Sequence, residues 1–467
     1  LISLQKNKDY SIDISGMTHE GQGVGRIENL AVFVDGAILG ETVQVKIVKL
    51  NKSYAIGKLI NITTPSKDRI TPFCQAYGKC GGCSLQHMTY EAQLEFKTNT
   101  VKDAIRRIGK LEEVAVHDTI GMDNGDEATE GKALNYRNKA QYPVGMGDNG
   151  AIVGFYAKRS HRIVENEHCG IQDLASSEIR KVFKAFVREN KIDTYDETTG
   201  KGLVRHLMTR VGIKTGEIMV VVVINGRELP FKEKLVKLLT DKLPAVKSIY
   251  LNVNTENTNI ILGEKNIKLY GNDTITDFIG KYKFKISPHS FYQVNSFQTE
   301  VLYGKVLEYA GLSGKEVVFD LYCGIGTISL FLSKKAKKVY GVEVVEAAVR
   351  DARRNAELNG VGNVEFVTGE AEKVIPEMYE QGIKADVVVV DPPRKGCDEV
   401  LLETLVGMAP ERIVYVSCNP ATLARDLGYL AERGYAVREA QPVDMFPWTG
   451  HVETVVCLNR KHSESSD

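Results

Sequence analysis

From Glu316 onward the chain alternates short apolar runs with stretches of helical length: Val317–Phe319, Val339–Val342, Val364–Val367, Ala385–Val390 and Arg412–Val416. Strands that alternate with helices predict a parallel sheet covered on both faces, because each crossover must carry the chain back to the start of the next strand. Two further runs, Ala436–Gln441 and His451–Leu458, lie only about ten residues apart, too close for a helical crossover, and are expected to pair antiparallel. The expected fold class is therefore α/β, a Rossmann-like sheet with an antiparallel last strand.

The first sixty residues obey a different rule. Polar and apolar positions alternate through Tyr10-Ser-Ile-Asp-Ile, Ala31-Val-Phe-Val and Val43-Gln-Val-Lys-Ile-Val, broken by glycines such as Gly16, Gly21 and Gly36, which predicts a small OB-like β-barrel. After Thr64-Pro65-Ser66 come a cysteine-bearing loop, a helical stretch near Tyr90–Ile108, and mixed strands and helices to about Lys285. A chain of 467 residues exceeds one ordinary core at roughly 100 to 200 residues per domain. The expected division is a barrel at 1–64, a mixed α+β domain at 65–285 and the α/β domain at 286–461. The acidic run from Asp123 to Gly131 is expected to be an exposed loop.

The longest apolar runs, such as Ile218–Ile224, are strand-length and fall short of the roughly 20 residues of a membrane span. No membrane segment is expected, and the charged, alternating N-terminus does not resemble a secretion signal, so a cytoplasmic location is expected. Eight cysteines are too sparse for a disulfide scaffold, and their clustering points to metal or chemistry. A formal net charge of zero leaves RNA open, because an electrostatic footprint is a patch and not a sum.

Asp320-Leu-Tyr-Cys-Gly-Ile-Gly-Thr follows the first α/β strand and opens a helix, where a doubly wound sheet puts its ligand loop. Gly324 and Gly326 permit close backbone approach, and Glu343, at the end of the second strand, stands where an acid binds ribose hydroxyls. These features read as a nucleoside site. Ser329 occupies the position of the third glycine of a dinucleotide fingerprint, which favours S-adenosylmethionine over NAD. Asp391-Pro-Pro-Arg394 ends the fourth strand at the same crevice, with prolines that would hold polar groups beside a sulfonium.

Cys418, in Ile413-Val-Tyr-Val-Ser-Cys-Asn-Pro, lies just past the fifth strand. A thiolate there could add to carbon 6 of a uracil and make carbon 5 nucleophilic enough to take a methyl group. By position alone a buried filler role for this cysteine is equally open, and Cys323 and Cys397 also lie in candidate loops. Removal of the carbon 5 proton then requires a base, for which Glu453 in His451-Val-Glu is the nearest candidate.

With Asp391-Pro-Pro-Arg-Lys-Gly, Tyr415-Val-Ser-Cys-Asn-Pro-Ala-Thr422 and His451-Val-Glu-Thr-Val in hand, the chain resembles the RNA uracil-5-methyltransferases over nearly its whole length, most closely those acting on 23S ribosomal RNA. The resemblance implies that Cys418 is the nucleophile and Glu453 the proton acceptor. It also implies that Gln293, Tyr322, Glu343 and Asp391 join Gly324 and Gly326 in binding S-adenosylmethionine. The barrel resembles a TRAM domain, suited to RNA. Cys74, Cys80, Cys83 and Cys169 are similar to the family's ligands for a [4Fe-4S] cluster of structural role, although spacing alone allows zinc equally well. The basic stretches Tyr136-Arg-Asn-Lys139 and Lys158-Arg-Ser-His-Arg162 put Arg137, Lys139, Lys158 and Arg159 forward as RNA contacts. The RNA partner should present a looped or single-stranded uridine, since the base must leave its stack, and no obligate protein partner is inferred. At Trp448 the family often has a histidine, which bears on the local pocket. Two other readings are a tRNA uracil-5-methyltransferase, against which the barrel and the four cysteines speak, and a non-catalytic RNA-binding protein, against which Cys418 and Glu453 speak. An iron–sulfur or NAD oxidoreductase is a third, to be separated by absorbance and cofactor retention.

Overall fold

A computed structural model describes residues 4–123 and 133–462; the acidic run beyond Asp123 and the tail after His462 lie outside the described residues. Five strands, β1 (Asp9–Met17), β2 (Gly23–Ile27), β3 (Leu30–Val34), β4 (Thr42–Leu50) and β5 (Tyr54–Thr64), close a barrel in the order β1-β2-β3-β5-β4. Successive strand side chains face opposite ways, so Ile12, Ile14, Val43, Val45 and Ile47 fill the interior while their neighbours face water.

The next segment crosses the expected boundary at residue 285. Helix α1 (Tyr90–Arg107), whose N-cap Thr89 accepts a hydrogen bond from the Ala92 N–H, leads to the short strand β6 (Ala115–Val116), and both join the C-terminal sheet. Val101 and Ile105 pack in one apolar core with Phe319, Leu423 and Leu427. The sequence period shows the helix but does not name the surface it will bury.

The middle of the chain forms β7 (Lys139–Gly147), β8 (Gly150–Val153), β9 (Phe155–Tyr156), β10 (Ile163–Val164), α2 (Leu174–Glu189), β11 (Val204–Val211), β12 (Ile218–Ile224), α3 (Lys232–Lys242), β13 (Val246–Val253) and β14 (Lys265–Gly271). Six of these strands make a sheet ordered β14-β13-β12-β11-β7-β8, with α2 and α3 packed on it through Phe183, Phe186, Leu235 and Leu239. The hairpin β15 (Ile275–Ile279) and β16 (Tyr282–Ile286) packs instead against Leu302 and Val306 of α4 (Ser296–Ala310), inside the core of the following sheet.

That sheet contains β17 (Val317–Leu321), α5 (Thr327–Ser333), β18 (Lys338–Glu343), α6 (Glu346–Leu358), β19 (Val364–Thr368), α7 (Ala371–Glu380), β20 (Val387–Val390), α8 (Glu399–Met408), β21 (Arg412–Ser417), α9 (Pro420–Glu432), β22 (Tyr435–Val443) and β23 (Glu453–Arg460). Its order is β19-β18-β17-β20-β21-β23-β22-β6, parallel from β19 to β21, with β23 antiparallel to both neighbours as the sequence predicts. The order reverses between β17 and β20, which opens a crevice at their C-terminal ends. Among the described residues no helix is long and apolar enough to cross a membrane.

One buried ion pair ties α1 to the loop before β23. Lys97 Nζ donates to Asp444 Oδ1 at 2.5 Å and to the Phe446 carbonyl at 3.1 Å, Tyr90 donates its hydroxyl to Asp444 Oδ2 at 2.9 Å, and neither member of the pair is exposed.

Candidate active site

The glycine loop leaves β17 in a left-handed conformation, with φ of 65° at Tyr322, 55° at Gly324 and 80° at Gly326. The two glycines serve different ends. Nothing lies within 4 Å of a Cβ built on Gly324, so that residue faces open space, whereas a Cβ on Gly326 would sit 2.7 Å from the Phe366 ring. Gly326 is the N-cap of α5 and packs behind the loop. Glu343 is tied to the loop, its Oε2 accepting from the Gly324 N–H at 3.1 Å and its Oε1 from the Val345 N–H at 2.8 Å. The Tyr322 hydroxyl donates to Glu372 Oε1 at 2.8 Å.

The loops after β20 and β21 are stitched together. The Arg394 carbonyl accepts from Asn419 Nδ2 at 3.0 Å and Thr422 Oγ1 at 3.1 Å, while the fully buried Asp426 accepts from the Cys397 N–H at 2.9 Å and the Tyr415 hydroxyl at 2.6 Å. Asn419 also caps α9 through the Ala421 N–H at 3.0 Å. Cys418 is thereby fixed between a strand end and a helix start. The register of β21 and β23 pairs Ser417 with Thr454, and Cys418 and Glu453 each lie one residue beyond that pair.

A cavity of about 820 Å³ runs along these strand ends, within the size of a small-molecule site. Gln293, Tyr322, Gly324, Glu343 and Asp391 line it together with Cys418 and Glu453, and Gly326 does not. Cys323 and Cys397 are buried outside the lining, so of the three candidate cysteines Cys418 alone faces the cavity among the described residues. Arg394, Phe446, His451 and the largely exposed Phe291 complete this end, and the sequence reading gave none of them a role. Arg394 is visible in the sequence as one of two adjacent cations after the proline pair.

Burial governs the charges. It pushes the Asp391 carboxyl up to about 7 and raises Glu453 well above the usual carboxylate range, with the Asp391 charge adding to the second effect and Arg394 opposing it. Burial, then Glu453 and Asp391, push the Cys418 thiol up to about 11, again against Arg394. At neutral pH the sulfur therefore holds its proton.

The other end of the same cavity is lined by Cys74, Cys80, Cys83 and Cys169. Every one of these thiols has an N–H donor: Asn166 Nδ2 to Cys74 at 3.6 Å, the Gly82 N–H to Cys80 at 3.4 Å, the Gln86 side chain to Cys83, and the Ile171 and Gln172 N–H groups to Cys169. Burial outweighs these donors: it raises the Cys80 and Cys169 thiols and pushes Cys83 up to about 12. Among the described residues no three His, Cys, Asp or Glu side chains converge on one metal ion.

The basic residues divide. Arg137 and Lys139 line the cavity, with the Lys139 amine pushed down to about 8 by burial and then by Arg210 and Arg137. Lys158 and Arg159 do not; they are engaged by carboxylates of the barrel, Asp35 at 2.9 Å and Glu20 at 3.0 Å. Trp448 is 3% exposed and lies outside the lining, packed edge-on to Phe73 with its indole N–H donated to the Ala133 carbonyl at 3.1 Å. The side chain at that position serves packing.

A parallel sheet with this switch-point crevice, glycine loop and strand-end acid, closed by the reversed β23, has the architecture of a nucleoside-binding α/β enzyme. Residues 127–461 match the tRNA (uracil-5-)-methyltransferase family and residues 4–60 match the TRAM domain, and the chain belongs to that family. An uncharacterized RNA methyltransferase of Clostridium tetani is 53% identical over 98% of this chain and 97% of its own, and one of Caldanaerobacter subterraneus is 53% identical over 97% and 98%. Among solved structures, the Pyrococcus abyssi tRNA (uracil-54, C5)-methyltransferase in complex with S-adenosyl-L-homocysteine superposes with a TM-score of 0.76 at 28% identity, covering 96% of this chain and 100% of that one. The protein is an S-adenosylmethionine-dependent RNA methyltransferase.

Proposed function

We propose that this enzyme methylates carbon 5 of a uridine in 23S ribosomal RNA through a covalent adduct between Cys418 and carbon 6. The observation that carries the chemistry is the register that puts Cys418 and Glu453 each one residue beyond the Ser417–Thr454 pair, in one cavity with Asp391 and Arg394. The Cys418 sulfur adds to carbon 6 as its proton passes to the Asp391 carboxylate, which leaves Glu453 free; the carbon 5–carbon 6 electron pair moves into an enolate whose negative charge Arg394 offsets. S-adenosylmethionine, held by Gln293, Tyr322, Glu343 and Asp391, supplies the methyl group that carbon 5 takes up. Glu453, whose basicity is raised by burial, then removes the carbon 5 proton, and the sulfur leaves as the carbon 5–carbon 6 double bond reforms. Arg137 and Lys139 bind phosphates at the cavity, and Lys158 and Arg159 bind them further out.

The ribosomal assignment rests on the resemblance to the enzymes of 23S ribosomal RNA, and against tRNA on the TRAM barrel and the four cysteines together. A second reading, tRNA, is favoured by the Pyrococcus neighbour: a tRNA enzyme that matches 96% of this chain removes the barrel as an argument against that substrate. Methyl transfer from a labelled donor to purified 23S RNA and to tRNA, each free of the modification, separates the two. Incorporation into tRNA alone overturns the ribosomal assignment and leaves the chemistry standing.

The four cysteines are read as ligands of a [4Fe-4S] cluster with a structural role, since methyl transfer involves no net redox change. Supporting this is the placing of all four cysteines along one wall of the cavity, in the pattern whose resemblance implies the cluster.

A further inference from the structure

Glu20, the partner of Arg159, sits in the β1–β2 loop, and that loop reaches the rim of the active site. Gly450 approaches it so closely that an added Cβ would lie 2.7 Å from the His19 carbonyl oxygen, and a Cβ on Gly21 would lie 2.7 Å from Leu85. The Gly450 N–H donates to Ser84 Oγ at 3.1 Å, and the next residue, His451, lines the cavity. Asp35, the partner of Lys158, follows β3 on the same barrel and also accepts from Gln22 Nε2 at 3.1 Å. Across the seam, the turn Lys158–Arg162 carries three cations and a histidine, all exposed and with no acid among them. Both ion pairs are open to water, their side chains 45 to 67% exposed, and solvent-screened pairs of that kind are weak.

We propose that this seam is the path by which single-stranded RNA reaches the active site, with backbone phosphates replacing Asp35 on Lys158 and Glu20 on Arg159. The proposal rests on the reading of these two cations as RNA contacts and says what they hold before RNA arrives. A phosphodiester offers the same charge and acceptor oxygens as a carboxylate, and the guanidinium fork accepts either. The exchange returns two carboxylates to water and releases the counterions of the incoming strand, so weak pairs suffice as placeholders.

The test is binding of a labelled single-stranded oligouridylate to the full-length protein, with S-adenosylhomocysteine affinity as the check of folding. Glu20→Gln with Asp35→Asn should tighten RNA binding about two- to tenfold, because the competitors are gone. Lys158→Gln with Arg159→Gln should weaken it and lower the salt slope by about 0.7 per lost contact, and adding Glu20→Gln and Asp35→Asn to that background should give no further gain. Asp9→Asn, at the far end of β1, controls for bulk charge. Unchanged or weaker binding by the carboxylate variant overturns the proposal, as does equal tightening by Asp9→Asn or in the Lys158/Arg159 background. If the Lys158/Arg159 variant binds like wild type with an unchanged slope, the reading of these cations as RNA contacts has itself failed.

Discussion

Cys418 and Glu453 each lie one residue beyond the Ser417–Thr454 pair of two antiparallel strands, and both line one cavity. A parallel strand in place of β23 would bring its C-terminal end to the crevice; the antiparallel β23 brings its first residue there. The reversed last strand brings an acid to the C-terminal ends of β17, β20 and β21, in one cavity with the Cys418 thiol.

This relationship predicts that the two residues fail differently. Cys418→Ala should abolish both methyl transfer and any protein–RNA adduct. Glu453→Gln should lower turnover at least about 100-fold, the scale of a lost general base, and accumulate a methylated adduct on denaturing gels. RNA containing 5-fluorouridine should trap the wild-type enzyme, since fluorine does not leave as a proton. An adduct mapped to Cys323 or Cys397, or methylation by Cys418→Ala, would show the mechanism to be wrong.

The same cavity sets a pH dependence. Asp391 and the buried Asp320 are each pushed up to about 7, whereas an unfolded aspartate titrates near about 4. Between these values the native state binds more protons than the unfolded one, so stability falls as pH rises through that window and is lowest above it. The apoprotein should melt at a lower temperature at pH 8 than at pH 5.5, and Asp391→Asn should remove up to about 1.4 kcal/mol per pH unit of that slope. An unchanged slope in the variant would mean that Asp391 is already ionised in the folded apoprotein.

Much of this site was legible because strand ends are legible. Asp391, Cys418 and Glu453 follow or begin strands whose apolar runs announce them, and a parallel sheet gathers such ends on one edge. Other features depend on which surfaces meet, which periodicity does not carry. Lys97 reads as one more polar residue on a helix, yet it pairs with Asp444, 347 positions away. Lys158 and Arg159 read as free cations, and only the docked barrel shows their partners. The cysteine loop reads as a separate centre, and only the folded chain brings it to the cavity of Cys418.

The Lys97–Asp444 pair anchors the loop carrying Phe446, Trp448 and His451, and removing one member would strand a buried charge. Lys97→Met should cost about 3–5 kcal/mol in denaturant unfolding, and adding Asp444→Leu should recover part of the loss, because two apolar side chains leave no unpaired charge. Equal stability of Lys97→Met and wild type would show that water reaches Asp444.

The protein's single tryptophan reports on the cysteine wall. Trp448 packs on Phe73, the residue before Cys74, with ring centroids 5.1 Å apart, and shares an apolar cluster with Ile171, Cys83 and Cys169. Anaerobically purified protein should contain iron and acid-labile sulfide, and its indole emission should be quenched. Chelation after oxidation should restore and red-shift that emission, because Phe73 and Ile171 follow the cysteines as they let go and water reaches the ring. Cys169→Ser should show the restored emission from the start and a lower melting temperature, while Cys418→Ala keeps the quenched spectrum. Zinc without sulfide would replace the cluster with a single-ion site, and emission indifferent to metal release would mean that the four thiols hold no metal that braces this wall.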